Sequence, residues 1–314
     1  MSRVLLYRAL GLGDFLTAVP AYRAVRRAFP AYDVVLAAPR PLQPLAVLSQ
    51  AVDTFLPTAE LAVPAWCGAA PEVAVNLHGS GPQSHQVLTA LRPERLVAYA
   101  STELGIAGPA WRADEHEVAR WCRLLDESGI PAHHWDLDLS VPEQPSPRAA
   151  ATVLHPGAAH PARRWPAERF AALARALRAD GHDVVVTGVE SERELAETVA
   201  RAGGLDEDAV LAGGLDLEAL AALVADARLV VCGDTGVAHL ATAYRTPSVL
   251  LFGAMPPALW GPPAGRAEHT VLWHSELMTG RSATGPHPAL RAITVDEALA
   301  ATRRAGQLRQ QPAP

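Results

Sequence analysis

The stretch Gly233-Asp234-Thr235-Gly236-Val237-Ala238-His239-Leu240 follows the apolar run 227–232 and opens a helical pattern over 239–244. A strand that ends in Gly-Asp-Thr-Gly and runs into a helix leaves backbone N–H groups aimed at one point, where the helix dipole also favours an anion. Read this way, the stretch is a phosphate site on an α/β fold. A second device of the same kind stands near the start of the chain. There the strand-like residues 3–7 lead through Gly11-Leu12-Gly13-Asp14 into a helix-like stretch over 15–29. Two such units in separate halves predict two nucleotide-fold domains facing each other, with the active site in the cleft between them.

Working outward, strand-like runs at 4–7, 33–37, 73–77, 152–155, 183–187, 229–232 and 248–252 alternate with longer helical patterns. That alternation is the signature of parallel α/β architecture with two Rossmann-like sheets. The densest proline stretch, 142–147, falls between the two groups of strands and reads as the linker. It gives an N-terminal domain over 1–147 and a C-terminal domain over 148–314 that ends in a helix. Thr294 and Glu297 form a capping-box pattern at the start of that helix, and 310–314 read as a frayed tail.

The chain of 314 residues is 49% hydrophobic and carries a net charge of −6. It holds no lysine, so all 27 basic residues are arginine, which excludes a Walker-type lysine, a Schiff-base lysine and a Ser-Lys pair. With no basic run interleaved with aromatics, a nucleic-acid groove is disfavoured. The three cysteines, Cys67, Cys122 and Cys232, show no C-x-x-C and are expected to be reduced and buried. No signal-peptide pattern and no apolar run of roughly 18 residues is present, so a cytoplasmic protein without a transmembrane segment is expected.

In an open α/β sheet, ligands bind beyond the carboxyl ends of strands. Arg163 and Arg164, in the loop after the strand 152–155, can therefore offer bidentate contacts to a diphosphate, or can be solvated helix-start residues. Asp234 can cap its own helix, and His239 can reach a ligand or simply pack. Gly236 allows close backbone approach to phosphate. Asp14 reads either as an N-cap or as a general base facing the cleft. Gly11-Leu12-Gly13-Asp14 is not a dinucleotide fingerprint, because Leu16 stands where a third glycine is needed. His78, Gln83 and His85 follow the strand 73–77 and are candidates to line an acceptor pocket. Two D-x-D spacings, Asp136/Asp138 and Asp206/Asp208, read as structural or solvated; residues 135–139 alternate like a short strand. The segment 264–289, with His269, His274, Arg281 and His287, reads as a loop over the donor.

Several of these pieces together resemble glycosyltransferase family 9, the heptosyltransferase-like family of two-domain GT-B enzymes. The resemblance is carried by Gly13-Asp14 with Thr17 and Pro20, Asn76-Leu77-His78-Gly79, His155-Pro156-Gly157-Ala158, Arg164-Trp165-Pro166 with Glu168, and Asp234-Thr235-Gly236 with His239-Leu240. Thr246-Pro247, Phe252-Gly253 and Trp260-Gly261-Pro262 complete it. It implies an inverting, metal-independent transferase that needs no cofactor. The donor is then an NDP-sugar such as ADP-heptose, bound in the C-terminal domain, and the acceptor is a hydroxyl-bearing glycan or small molecule bound in the N-terminal one, near Gly13. It implies Asp14 as base, Thr235, Gly236 and Arg163 or Arg164 at the diphosphate, and Glu192 at the nucleotide ribose. The family's lysine before Trp-Pro is replaced here by arginine. Two other readings stay open: an NDP-sugar epimerase-type enzyme of the same fold, and a nucleotide-sugar-binding module without catalysis.

Overall fold

The computed structural model describes residues 2–278 and 285–308; Arg281 and the tail 310–314 lie outside the described residues. The chain divides into two compact units, Met1–Ser140 and Val141–Pro314. The first is built on β1 (Arg3–Tyr7), β2 (Asp33–Ala38), β3 (Thr54–Pro57), β4 (Val73–Asn76) and β5 (Arg95–Val97). The second contains β6 (Thr152–His155), β7 (Val184–Val186), β8 (Leu229–Gly233), β9 (Ser248–Leu251) and β10 (His269–Leu272).

Both sheets are parallel throughout, in the orders β3-β2-β1-β4-β5 and β10-β9-β8-β6-β7. The interior strands read as unbroken apolar runs because helices cover both sheet faces. Val4, Leu5, Leu6 and Tyr7 of β1 are fully buried, as are Val230, Val231 and Cys232 of β8. In each sheet the chain starts at an interior strand, runs to one edge and returns to build the other side. The connections therefore diverge between β1 and β4 in the first unit and between β6 and β8 in the second. Such switch points open a crevice at the carboxyl ends of the strands.

Three strands escape the sequence pattern. β3, β5 and β10 are edge strands of three or four residues, half-exposed and carrying Pro, Arg or His, so they lack the long apolar run of the interior strands. The helical stretch 15–29 is two helices, Leu12–Thr17 and Val19–Ala28, broken at Ala18 because Pro20 has no N–H to continue the ladder. Residues 135–139 form no strand. Asp136 instead receives Arg23 and Arg27 of the helix Val19–Ala28, at 2.5 and 2.9 Å. Asp208 of the second D-x-D pairs with Arg148 at 2.9 Å. Cys122 and Cys232 are buried as expected, with burial pushing their thiols up to about 12, whereas Cys67 is exposed. The segment 264–289 contains β10, with Ser248 Oγ bonded to His269 Nδ1 at 2.8 Å. No described helix is long and apolar enough to cross a membrane.

The capping box at the last helix forms: Glu297 Oε2 accepts from Thr294 N at 2.7 Å and Thr294 Oγ1 accepts from Glu297 N at 3.2 Å. This helix, Val295–Leu308, packs Ala298, Ala301 and Ala305 into the second unit's core beside Trp165 and Phe170. Trp165 meets Phe170 edge to face and donates Nε1–H to the Ile293 carbonyl at 3.0 Å, joining the Arg-Trp-Pro turn to the last helix. Replacing Trp165 with Ala is expected to cost about 3–5 kcal/mol, read as a lowered midpoint in denaturant unfolding; a loss under 1 kcal/mol would show the contact to be dispensable.

Candidate active site

At the switch point of the first sheet, β1 leads into Arg8 and β4 into Leu77-His78. Asp14 is the third residue of the helix Leu12–Thr17, whose N-cap is Gly11. It is therefore not an N-cap itself. Its side chain is 30% exposed while Arg8 beside it is fully buried. The Arg8 guanidinium donates through Nε to the Asp14 carbonyl at 2.8 Å and through Nη2 to Asp14 Oδ1 at 3.3 Å. It also donates to the carbonyl of Leu77 and to Glu117 Oε1, the latter at 2.9 Å. Burial raises the Asp14 pKa above the usual carboxylate value; the Arg8 charge opposes that rise and the Glu117 charge reinforces it. A carboxylate that is partly solvated, fixed in place and more basic than usual is equipped to accept a proton.

Gly13 is half-buried beside it and Gln83 is exposed at the start of the helix Gln83–Thr89. His78 is half-buried, stacked on Tyr7 at 5.0 Å, with its backbone N–H donating to Asn76 Oδ1. His85 is placed differently from the acceptor-lining position expected of it. Its ring is fully buried under Gly81 and bonded to the Tyr99 carbonyl at 2.8 Å, so it packs the interior rather than facing a ligand.

At the switch point of the second sheet, the loops after β6 and β8 come together. Gly233 lies so close to this loop that a Cβ on it would stand 2.9 Å from the Arg163 carbonyl. Asp234 precedes the helix Gly236–Ala243, and Thr235 is its N-cap, so Asp234 does not cap it. Asp234 is 5% exposed, and Arg163 Nη1 lies 3.3 Å from its Oδ2, within ion-pair range but out of hydrogen-bond alignment. Burial raises the Asp234 pKa and Arg163 holds it back. Arg164 is committed elsewhere, donating through Nε and Nη2 to the Ala158 carbonyl at 2.9 and 2.8 Å. Of the two arginines, Arg163 thus sits at the Gly-Asp-Thr-Gly turn and Arg164 braces the loop before it.

Glu192 is buried against this loop, its Oε2 accepting from Val189 N at 3.0 Å. It fits because Gly157 and Gly188 have no side chain: a Cβ on Gly157 would fall 2.2 Å from the Glu192 carboxyl. His155, buried and bonded to Thr187 Oγ1 at 3.1 Å, is held below its usual pKa by burial, with Glu192 pulling the other way. His239 packs edge-on to Trp260 at 5.9 Å. Among the described residues, no group of three His, Cys, Asp or Glu is arranged to hold a metal ion.

Two Rossmann-like parallel sheets, one presenting a basic carboxylate and the other an arginine beside a helix N-terminus, define the GT-B class of α/β protein. A family model described as glycosyltransferase family 9 (heptosyltransferase) matches residues 104–287. The chain belongs to that family. It is 31% identical over 144 residues to lipopolysaccharide heptosyltransferase 2 of Escherichia coli K12, a match covering 44% of this chain and 41% of that protein. The aligned part is therefore about two-fifths of the curated relative's length. Among solved structures, a family 9 glycosyltransferase from Veillonella parvula superposes with a TM-score of 0.81 at 18% identity, covering 98% of this chain and 97% of the other. The E. coli ADP-heptose LPS heptosyltransferase II superposes at 0.79 and 21% identity, covering 99% and 100%. These two likenesses establish the fold.

Arg8 and Glu117 are site residues that the sequence pattern does not single out. An arginine directly after an apolar strand was the available signal. His78 is pushed down to about 4 by burial beside Arg8. The unfolded chain binds a proton at this histidine below about pH 6.5 and the folded chain does not until about pH 4. Stability is therefore present above pH 6.5 and is lost as the pH falls toward 4. In His78→Gln, unfolding free energy should fall less between pH 7 and 4.5 than in the parent, measured by urea titration; an identical fall would refute the assignment.

Proposed function

We propose that the protein is an inverting, metal-independent glycosyltransferase that moves a sugar from a nucleoside diphosphate sugar to an acceptor hydroxyl. The observation that carries this is Asp14: a carboxylate made more basic by burial, still open to solvent, at the switch point of its sheet. Asp14 takes the proton of the acceptor hydroxyl as that oxygen forms its bond to the anomeric carbon. The bond from the anomeric carbon to the diphosphate oxygen breaks, and its electron pair leaves with the nucleoside diphosphate. Arg163, the first-turn N–H groups opened by Thr235 and Gly236, and the helix dipole stabilise the charge developing there without a metal ion. Asp234, whose Oδ2 makes no hydrogen bond, is available to accept one from a donor-sugar hydroxyl. Glu192 holds the ribose. Gly13, His78 and Gln83 contribute to the acceptor side.

ADP-heptose is the donor proposed first, because the E. coli structure that matches the full chain is named for it. The acceptor is a hydroxyl-bearing glycan or small molecule, and the reaction is proposed to be cytoplasmic.

ADP at about 100 times its dissociation constant should stabilise the protein by about 2.7 kcal/mol, equally with and without Mg²⁺, and Arg163→Ala should abolish most of that shift. Thermal unfolding reads this directly; a shift that appears only with Mg²⁺ would overturn metal independence. Asp14→Asn should retain the ADP shift while ADP release from ADP-heptose falls by about 10²- to 10⁴-fold. Undiminished release would remove Asp14 as the base.

A further inference from the structure

Arg8 is buried to the last atom, yet it carries a charge that arginine cannot give up. Its Nη2 has two hydrogens and three oxygens within reach: Glu117 Oε1 at 2.9 Å, Asp14 Oδ1 at 3.3 Å and Thr17 Oγ1 at 3.4 Å. Glu117 is the nearest. It is buried, its other oxygen accepts from Arg120, and Trp121 Nε1 donates to Oε1 at 2.8 Å. The Trp121 ring lies 4.6 Å from the Arg8 guanidinium carbon and closes the remaining side.

We infer that Arg8 and Glu117 act as a pair of positioning residues, Arg8 fixing Asp14 through its backbone carbonyl while Glu117 draws the arginine's charge away from the Asp14 carboxylate. The division of labour follows from the distances. The bond to the Asp14 carbonyl is 2.8 Å and the one to its carboxylate 3.3 Å, so geometry is imposed through the main chain and only weakly through the ionisable group. An unshared guanidinium at that separation would hold Asp14 ionised but depress its basicity. Glu117 lets the site have a rigid carboxylate that remains a base. The other titratable or charged groups of the cluster are Tyr22 on the helix Val19–Ala28, which faces Arg8 and Asp14, His78 after β4, which faces Arg8, and Arg120 behind Glu117. The tyrosine is neutral, with its hydroxyl driven upward by burial; His78 is neutral above pH 4; Arg120 is a permanent charge satisfied by Glu117. The variable charges at the site are therefore Asp14 and Glu117.

The functional meaning rests on Asp14 being the base, but the test does not. Protein labelled with ¹³Cγ-aspartate is titrated by NMR, the Asp14 resonance being the one lost in Asp14→Asn. Glu117→Gln should lower the Asp14 midpoint by about one pH unit, and Arg8→Gln should raise it by a similar amount. Glu117→Asp should return it toward the parent value. Arg8→Gln leaves Glu117 paired with Arg120, so it carries the test with opposite sign if Glu117→Gln does not fold. Midpoints that stay put, or that move the same way in the two variants, would overturn the pairing. If Asp14→Asn also turned over normally, the base assignment alone would fall, whatever the midpoints did.

Discussion

A parallel sheet whose strand order turns back beside its first strand must leave a gap between diverging connections, and the placement of both candidate clusters in this chain depends on that constraint being met twice. In the first unit the gap lies between β1 and β4, in the second between β6 and β8. The residues that fill the two gaps are different in kind. One receives a carboxylate set on a short helix. The other receives glycines, an N-terminal helix turn and an arginine. The same backbone plan thus presents a carboxylate once and an arginine beside a helix N-terminus once, by changing only the residues after the central strands.

Charge burial gives the first position its rigidity. Removing one partner from a buried ionic group typically costs about 3–5 kcal/mol, so the Arg8, Asp14 and Glu117 arrangement is difficult to loosen. It also ties together elements remote in sequence, since Arg8 bridges the end of β1, the helix holding Asp14, the Leu77 carbonyl after β4 and a helix that begins at Glu117. In the second unit, glycines do the corresponding work. Gly157, Gly188 and Gly233 let Glu192 and the Arg163 loop approach to distances that any Cβ would prevent or crowd.

The sequence discloses what is repeated and local. The interior strands were legible because burial on both faces forces an unbroken apolar run, and the two glycine-rich turns because each follows such a run directly. The edge strands β3, β5 and β10 were not, since three or four half-exposed residues produce no period. Asp234 and Gly236 could be nominated from their turn, Arg163 only together with Arg164, and Asp14 as either an N-cap or a base until the family resemblance chose between them. Arg8 could not, because a charge after a strand normally marks the exit to solvent, and the residue that makes its burial tolerable, Glu117, lies 109 positions away. His85 shows the converse: its place in a polar loop suggested exposure, whereas Gly81 leaves room for the ring to turn inward to the Tyr99 carbonyl.

The thiols distinguish the two units in a practical way. Cys122 and Cys232 are buried and held protonated, while Cys67 stands in solvent on the segment after β3. That segment is fastened to the end of β1 where Tyr7 Oη donates to the Ala62 carbonyl at 3.2 Å, and Trp66 is pinned beneath Arg3. A single maleimide fluorophore placed there, with no engineering of the chain, becomes an optical reporter attached one tyrosine away from the arginine that holds Asp14.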